Sequence, residues 1–168
     1  ISGIPDMLAD YAAGQYVYVR AGGHPARPYS IANAPGGRYI ELHIRNSGNG
    51  LSRYLCENVG IGDWIDMAGP CGTCTFTASG MQPLMVVAGG TGFAPAKAIV
   101  EAGLADDPSR SIVLYYGARE YAEIYDLEWL EAQPAREETH YLRYVELEIS
   151  TMLKIDGKSS QAVLLPGG

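Results

Sequence analysis

The sequence predicts two folded units in tandem, an antiparallel β-barrel followed by an α/β unit built on a parallel sheet. Three observations predict it. Short runs of strand-forming residues, separated by Gly, Pro, Asn and Asp clusters, fill the first half, and that spacing suits a small barrel or sandwich. The second half changes to continuous apolar runs that alternate with helical stretches, the pattern of a parallel sheet with crossover connections. A glycine-rich junction, Gly89-Gly90-Thr91-Gly92, stands where the first of those apolar runs ends.

Taken in order, Tyr16-Val17-Tyr18-Val19-Arg20 reads as a strand. Tyr39 to Arg45 alternates, with Ile40, Leu42 and Ile44 on one face and Glu41, His43 and Arg45 on the other, so a half-buried strand is predicted there. Asn46-Ser47-Gly48-Asn49-Gly50 leads into a helix over Leu51 to Val59, and Trp64-Ile65-Asp66-Met67 is a further strand. The character of the chain changes over residues 77–83, which divides it into domains 1–79 and 80–168. Leu84 to Ala88 is apolar throughout and is predicted to be a strand buried on both faces. Pro95 is placed to open a helix running to about Leu104, since the first turn needs no N–H from it. Ile112 to Tyr116 is a second buried strand, Asp126 to Gln133 a second helix, and Tyr141 to Leu147 a third strand.

Composition narrows the function classes. The chain has 168 residues, 47% hydrophobic and 18% charged, which is enough apolar material for a packed core. Its net charge of −7 disfavours a nucleic-acid partner. No basic run suits an anionic membrane surface, and no apolar stretch approaches the roughly 18–20 residues of a membrane span. No secretory signal is visible in the first residues, and the three cysteines, Cys56, Cys71 and Cys74, fit a reducing cytoplasm better than a disulfide framework. Cys71 and Cys74 form a C-x-x-C without two further ligands at matched spacing, so no metal site is expected.

Three segments carry chemistry. At Val86 to Pro95 a glycine-rich turn joins a buried strand to a helix, so backbone N–H groups can approach a phosphate and the helix start adds positive potential. In an open parallel sheet that crevice is where ligands bind, although a plain tight turn also accounts for the glycines. Arg27-Pro28-Tyr29-Ser30 combines a forked donor for phosphate oxygens, a flat ring and a hydroxyl, or is an exposed turn. Gly48-Asn49-Gly50-Leu51-Ser52 is a second anion-binding helix start, or an ordinary helix cap. Together they imply two phosphate-bearing ligands meeting at a domain boundary.

In this order the motifs resemble the ferredoxin–NADP reductase-like flavoprotein reductases, chiefly the reductase components of bacterial oxygenases and the NAD(P)H:flavin reductases. Gly14-Gln15-Tyr16 is similar to the family's G-Q-[FY] strand, Arg27 to Ser30 to R-x-Y-S, and Gly48 to Leu55, with one more residue before Ser52, to G-x-x-S-x-x-L. Gly69-Pro70-Cys71-Gly72 is similar to G-P-x-G, Gly89 to Pro95 to G-G-T-G-x-x-P, and Tyr116-Gly117-Ala118-Arg119 to Y-G-x-R.

The resemblance implies FAD in the first domain and NAD(P)H in the second. It implies that Arg27, Gly50, Leu51 and Ser52 bind the FAD pyrophosphate, that Tyr29 packs on the flavin or ribityl region, and that Ser30 hydrogen-bonds flavin N5. His43, Ile44 and Arg45 would lie along the ribityl chain and adenosine. Thr91 would sit between flavin and nicotinamide, with Gly89, Gly90 and Gly92 holding the dinucleotide and Arg119 near its adenosine end. Ser30 and Thr91 are the expected catalytic positions. Electrons would pass to an iron–sulfur protein, an oxygenase component or free flavin. The family carries further strands before Gly14 and a C-G-x-x-x-M motif after Leu147, whereas residues 150–168 contain no Cys. The chain is therefore expected to be truncated at both ends, and a non-catalytic flavin-binding module is the alternative.

Overall fold

The computed structural model describes residues 10–78, 82–119 and 121–133, and the backbone of three short strands farther on. In the first half, β1 (Tyr16–Arg20) is the centre of an antiparallel sheet, with β2 (Arg27–Ser30) on one side and β3 (Asp66–Cys71) on the other. Val17 and Val19 are fully buried while Tyr18 and Arg20 face out, the period-two signature of a half-buried strand. They pack with Tyr11, Ile31 and Ile40 into a core that Leu42, Leu55, Ile65 and Met67 extend. The Tyr11 hydroxyl reaches the carbonyls of Asn33 and Ala34 at 3.1 and 2.7 Å, and burial pushes its phenol up to about 12. Helix α1 (Gly50–Asn58) sets Leu51 inward.

In the second half, β4 (Leu84–Gly89) pairs in parallel with β5 (Ile112–Gly117), which pairs in parallel with β6 (Tyr141–Tyr144). Helix α2 (Phe93–Asp106) lies on this sheet, and a tight turn at Gly90–Gly92 delivers the chain from β4 directly into it. Phe93, Ala96 and Val100 pack on Val86, Ala88, Leu114 and Tyr116, and α3 (Leu127–Ala132) adds Leu130. The Phe93 and Tyr116 rings stack with centroids 4.4 Å apart. Arg110 is buried and donates to the carbonyls of Gly103 and Gln82 as well as to Asp106, which secures the end of α2. Strands β7 (Thr151–Lys154) and β8 (Val163–Pro166) form a separate antiparallel pair.

Four expectations are corrected, and one open reading receives its local structure. Among the described residues Tyr39 to Arg45 forms no strand of its own; there it meets the neighbouring segment through the bridge Ile31 to Leu42 and the Ala32 N–H to Glu41 carbonyl bond. On the side facing Ala32 the reason is Asn33, whose buried side chain takes up backbone groups that a strand neighbour would otherwise bond. Its amide oxygen accepts from the Glu41 N–H and its amide nitrogen donates to the Tyr39 carbonyl. The tetrapeptide Arg27–Ser30, left open as an exposed turn, is the edge strand β2, where Pro28 needs no donor. The strand expected at Trp64–Met67 runs instead over Asp66–Cys71. Among the described residues strand β4 is buried on one face, and Met85 and Val87 of the other are 59% and 68% exposed. Pro95 lies within the first turn of α2, which begins two residues earlier and ends at Asp106. The end of the predicted third strand, 145–147, falls outside the described residues.

Candidate functional site

Where the halves meet, a cavity of about 320 Å³ opens to solvent. Its walls are His43, Ile44 and Arg45 from the first half and Gly90, Thr91, Glu123 and Tyr125 from the second. The fold makes this junction in two ways. The Asn33 side chain pins the segment that carries residues 43–45. The parallel pairing of β4 and β5 brings Gly89 beside Gly117, so that the turn at Gly90 and the segment after β5 open on the same end of the sheet. Gly90 has φ +52, a left-handed backbone that favours glycine, and open space where a Cβ would stand. A flat ring or a phosphate can therefore come against that backbone.

A charged rim borders the cavity. Glu123 takes guanidinium contacts from Arg45 of the first half and Arg119 of the second, and these hold its carboxyl below the usual range. Inside the rim, His43 Nδ1 lies 2.9 Å from the Tyr125 hydroxyl and its Nε2 lies 2.7 Å from Glu41 Oε1. The His43 ring stacks near Phe93, and Tyr125 meets both His43 and Phe93 edge-on. Burial pushes the Tyr125 phenol up. Glu41, His43 and Asp126 bring ligand atoms within 4.8 Å of one another, the composition of a cation site. The Lys97 ammonium already lies 2.8 Å from both carboxylates and supplies the positive charge.

The structure brings five of the expected binding residues together at this cavity, His43, Ile44 and Arg45 with Gly90 and Thr91. Arg119 joins them through Glu123. The others lie elsewhere. Arg27 and Pro28 are exposed on β2, and Tyr29 and Ser30 are half-buried on the same strand. Gly48 and Gly50 both have positive φ with open space around them, at the start of α1. The loop before that helix is held by its own side chains, with Ser47 Oγ 2.6 Å from Ser52 Oγ and the Gly48 N–H donating to Asn46 Oδ1. Gly89 and Gly117 face each other at the ends of β4 and β5, and Gly92 and Pro95 lie in the turn and first helical turn that follow.

Two family models match, an oxidoreductase FAD-binding domain over residues 4–76 and an oxidoreductase NAD-binding domain over residues 86–158. The chain belongs to the ferredoxin reductase-like flavoprotein reductases. Among the relatives of this reductase-family chain is the reductase component of the naphthalene 1,2-dioxygenase system of Pseudomonas putida. It is 36% identical over 122 residues, 72% of this chain and 37% of the relative. The CDP-6-deoxy-L-threo-D-glycero-4-hexulose-3-dehydrase reductase of Yersinia pestis is 37% identical over 166 residues, 95% of this chain and 49% of the relative. The crystal structure of an Amycolatopsis cytochrome P450 reductase superposes with a TM-score of 0.71 at 31% identity, over 81% of this chain and 42% of that one. The chain thus spans half or less of the length of these relatives. It carries an FAD-binding domain with an antiparallel sheet and an NAD-binding domain with a parallel sheet. Among the described residues no helix is long and apolar enough to cross a membrane.

Sequence reasoning missed Glu41, Lys97, Glu123, Tyr125 and Asp126. One signal was available: Lys97 is the lone charge in Phe93-Ala94-Pro95-Ala96-Lys97-Ala98-Ile99-Val100, where an amphipathic helix would carry several.

Proposed function

We propose that this chain is the flavin- and nicotinamide-binding part of an NAD(P)H-dependent reductase that passes electrons to a separate acceptor. The observation that carries the proposal is the cavity walled jointly by the first-half segment 43–45 and the glycine turn at Gly90 and Thr91. Two flat rings need one cleft with a wall from each nucleotide-binding half, and backbone that a ring can approach closely. The open, positive-φ glycine at position 90 meets the second need.

In this reading Arg27 and the start of α1, with Gly48, Gly50, Leu51 and Ser52, hold the FAD pyrophosphate. Tyr29 packs against the flavin or its ribityl chain, and Ser30 donates toward flavin N5. His43, Ile44 and Arg45 support the ribityl side. Gly89, Gly90 and Gly92 admit the dinucleotide, Thr91 orients the nicotinamide, Pro95 stiffens the first turn of α2, and Gly117 and Arg119 face the adenosine end. When bound, the flavin supplies the hydride-accepting ring and the means to release electrons singly or in pairs. The chain's own residues bind, align the rings and exclude water, and the hydride step asks no acid or base of them. We place the domains at 1–79 and 80–168 and the protein in the cytoplasm, where its free thiols Cys56, Cys71 and Cys74 would be stable.

The acceptor we favour is an iron–sulfur protein or oxygenase component, because the Pseudomonas putida relative is named as the ferredoxin reductase component of a dioxygenase system. Free flavin is the competing acceptor. The test is a visible spectrum of the purified protein reconstituted with FAD, before and after NADH or NADPH without oxygen. A yellow protein that bleaches within seconds is expected. A protein that takes up no FAD, or a yellow one that neither nucleotide bleaches, would refute the proposal.

A further inference from the structure

Lys97 has no part in the hydride chemistry just described, yet its side chain is only 7% exposed at the junction between the halves. A buried ammonium is costly unless carboxylates and hydrogen bonds meet it on several sides. Here Glu41 Oε1 and Asp126 Oδ2 each lie 2.8 Å from its Nζ, and the Trp129 ring lies beneath it. Glu41 comes from the first half and Asp126 from the second, so one cation spans the boundary. Asp126 takes a left-handed backbone, φ +59, that a non-glycine residue rarely adopts, and there its carboxylate meets Lys97.

The contacts close a ring. Glu41 also takes His43 Nε2, His43 Nδ1 takes the Tyr125 hydroxyl, and Tyr125 adjoins Asp126 along the chain. His43 and Tyr125 wall the cavity together with Gly90 and Thr91. Lys97 itself sits in the helix that begins at Phe93, two residues after Thr91, so the helix it anchors is the one that carries the nicotinamide turn. One helical turn farther on, Glu101 makes a second tie, accepting from the Ala34 N–H at 2.8 Å and the Trp129 indole at 2.9 Å. That second tie joins the halves without using the Lys97 carboxylates.

We propose that Lys97 is a positioning residue for hydride transfer, whose ammonium, clasped between Glu41 and Asp126, fixes the Thr91 turn against the flavin-side wall and so sets the spacing of the two rings. The inference rests on the flavin–nicotinamide reading of the cavity. It is tested in the intact, FAD-loaded protein by anaerobic stopped-flow reduction with the nucleotide that reduces the wild type.

Lys97→Met is expected to lower the limiting rate of flavin reduction about 10- to 100-fold, the scale of a misplacement near 1 Å. Nucleotide Kd should stay within about 3-fold, in keeping with a change in geometry and not in binding contacts. Flavin content and chemical reduction by dithionite should match the wild type, and Lys97→Arg should restore much of the lost rate. A Lys97→Met protein that reduces its flavin at the wild-type rate overturns the proposal. So does a loss confined to nucleotide affinity or flavin content. If Lys97→Met does not fold, Asp126→Asn is measured instead, since Asn tolerates the same backbone; a slower limiting rate supports the proposal and an unchanged one overturns it. A wild-type protein that binds FAD but is not reduced refutes the cavity reading itself, and Lys97 is then only a structural tie.

Discussion

Single glycines set the tightest limits on this molecule. A Cβ built at Gly14 would lie 2.2 Å from the Cys74 carbonyl oxygen, and its φ of +103 is foreign to other residues. Backbone cannot retreat as a side chain can, so Gly14→Ala is expected to cost about 3 kcal/mol or more, read as a lowered melting temperature. Gly90 makes the opposite case. Open space surrounds it, so Gly90→Ala should cost only the left-handed backbone penalty, about 1–2 kcal/mol. The added methyl would stand at the cavity wall, and nucleotide affinity should fall by more than stability does, as a fluorescence titration would show. Gly90 was legible in the sequence because glycine after a buried strand carries local information. Lys97 was not, because its two carboxylates stand 56 and 29 residues away and only the assembled halves bring them together.

Among the elements, α2 is the one on which packing and site both depend. Phe93, fully buried at its first position, stacks on Tyr116 and meets Tyr125 and Trp129 edge-on. Phe93→Ala should cost about 3–5 kcal/mol by emptying that aromatic cluster. It should also lower FAD-dependent NAD(P)H oxidation in any protein that remains folded. Calorimetry beside a turnover assay separates the two effects. The periodic elements were legible: β1, α1, β4, α2, β5 and α3 all stand within a few residues of where apolar pattern and helix signals put them. Two of the failures share a cause, a partner invisible to local pattern. Tyr39 to Arg45 alternates as a strand does, but the Asn33 amide, six and eight residues away, takes the Tyr39 carbonyl and the Glu41 N–H. Arg27–Ser30 shows little strand propensity, and pairing with β1 overrides it. Continuous apolar character made β4 a two-faced strand, whereas among the described residues its Met85–Val87 face is open.

At the scale of the whole molecule, the Lys97 network makes the union of the halves sensitive to pH on two flanks. Burial alone would raise the Glu41 carboxyl, but hydrogen bonds from Lys97 and His43 outweigh it and hold the group below its ordinary 4.5. The unfolded chain therefore binds the proton more readily, and the stabilisation is fully present above 4.5 and is lost as pH falls through the lower folded value. Burial alone would lower the Lys97 ammonium, but Asp126 and Glu41 outweigh it and hold the group above 10.5. Its stabilisation is present below 10.5 and is lost as pH rises through the higher folded value. Melting temperature against pH should show a plateau with an acid flank below 4.5, and Glu41→Gln should flatten that flank. An acid flank as steep in the variant as in the wild type would assign it to other carboxylates.

The Asn33 amide closes the neck of the loop at the Tyr39 carbonyl and Glu41 N–H, while residues 35–38 beyond it are exposed. The tip is thereby insulated from the segment that walls the cavity. A short peptide tag spliced between Gly36 and Gly37 should leave turnover intact, giving a handle for a fluorophore that does not disturb the cavity wall.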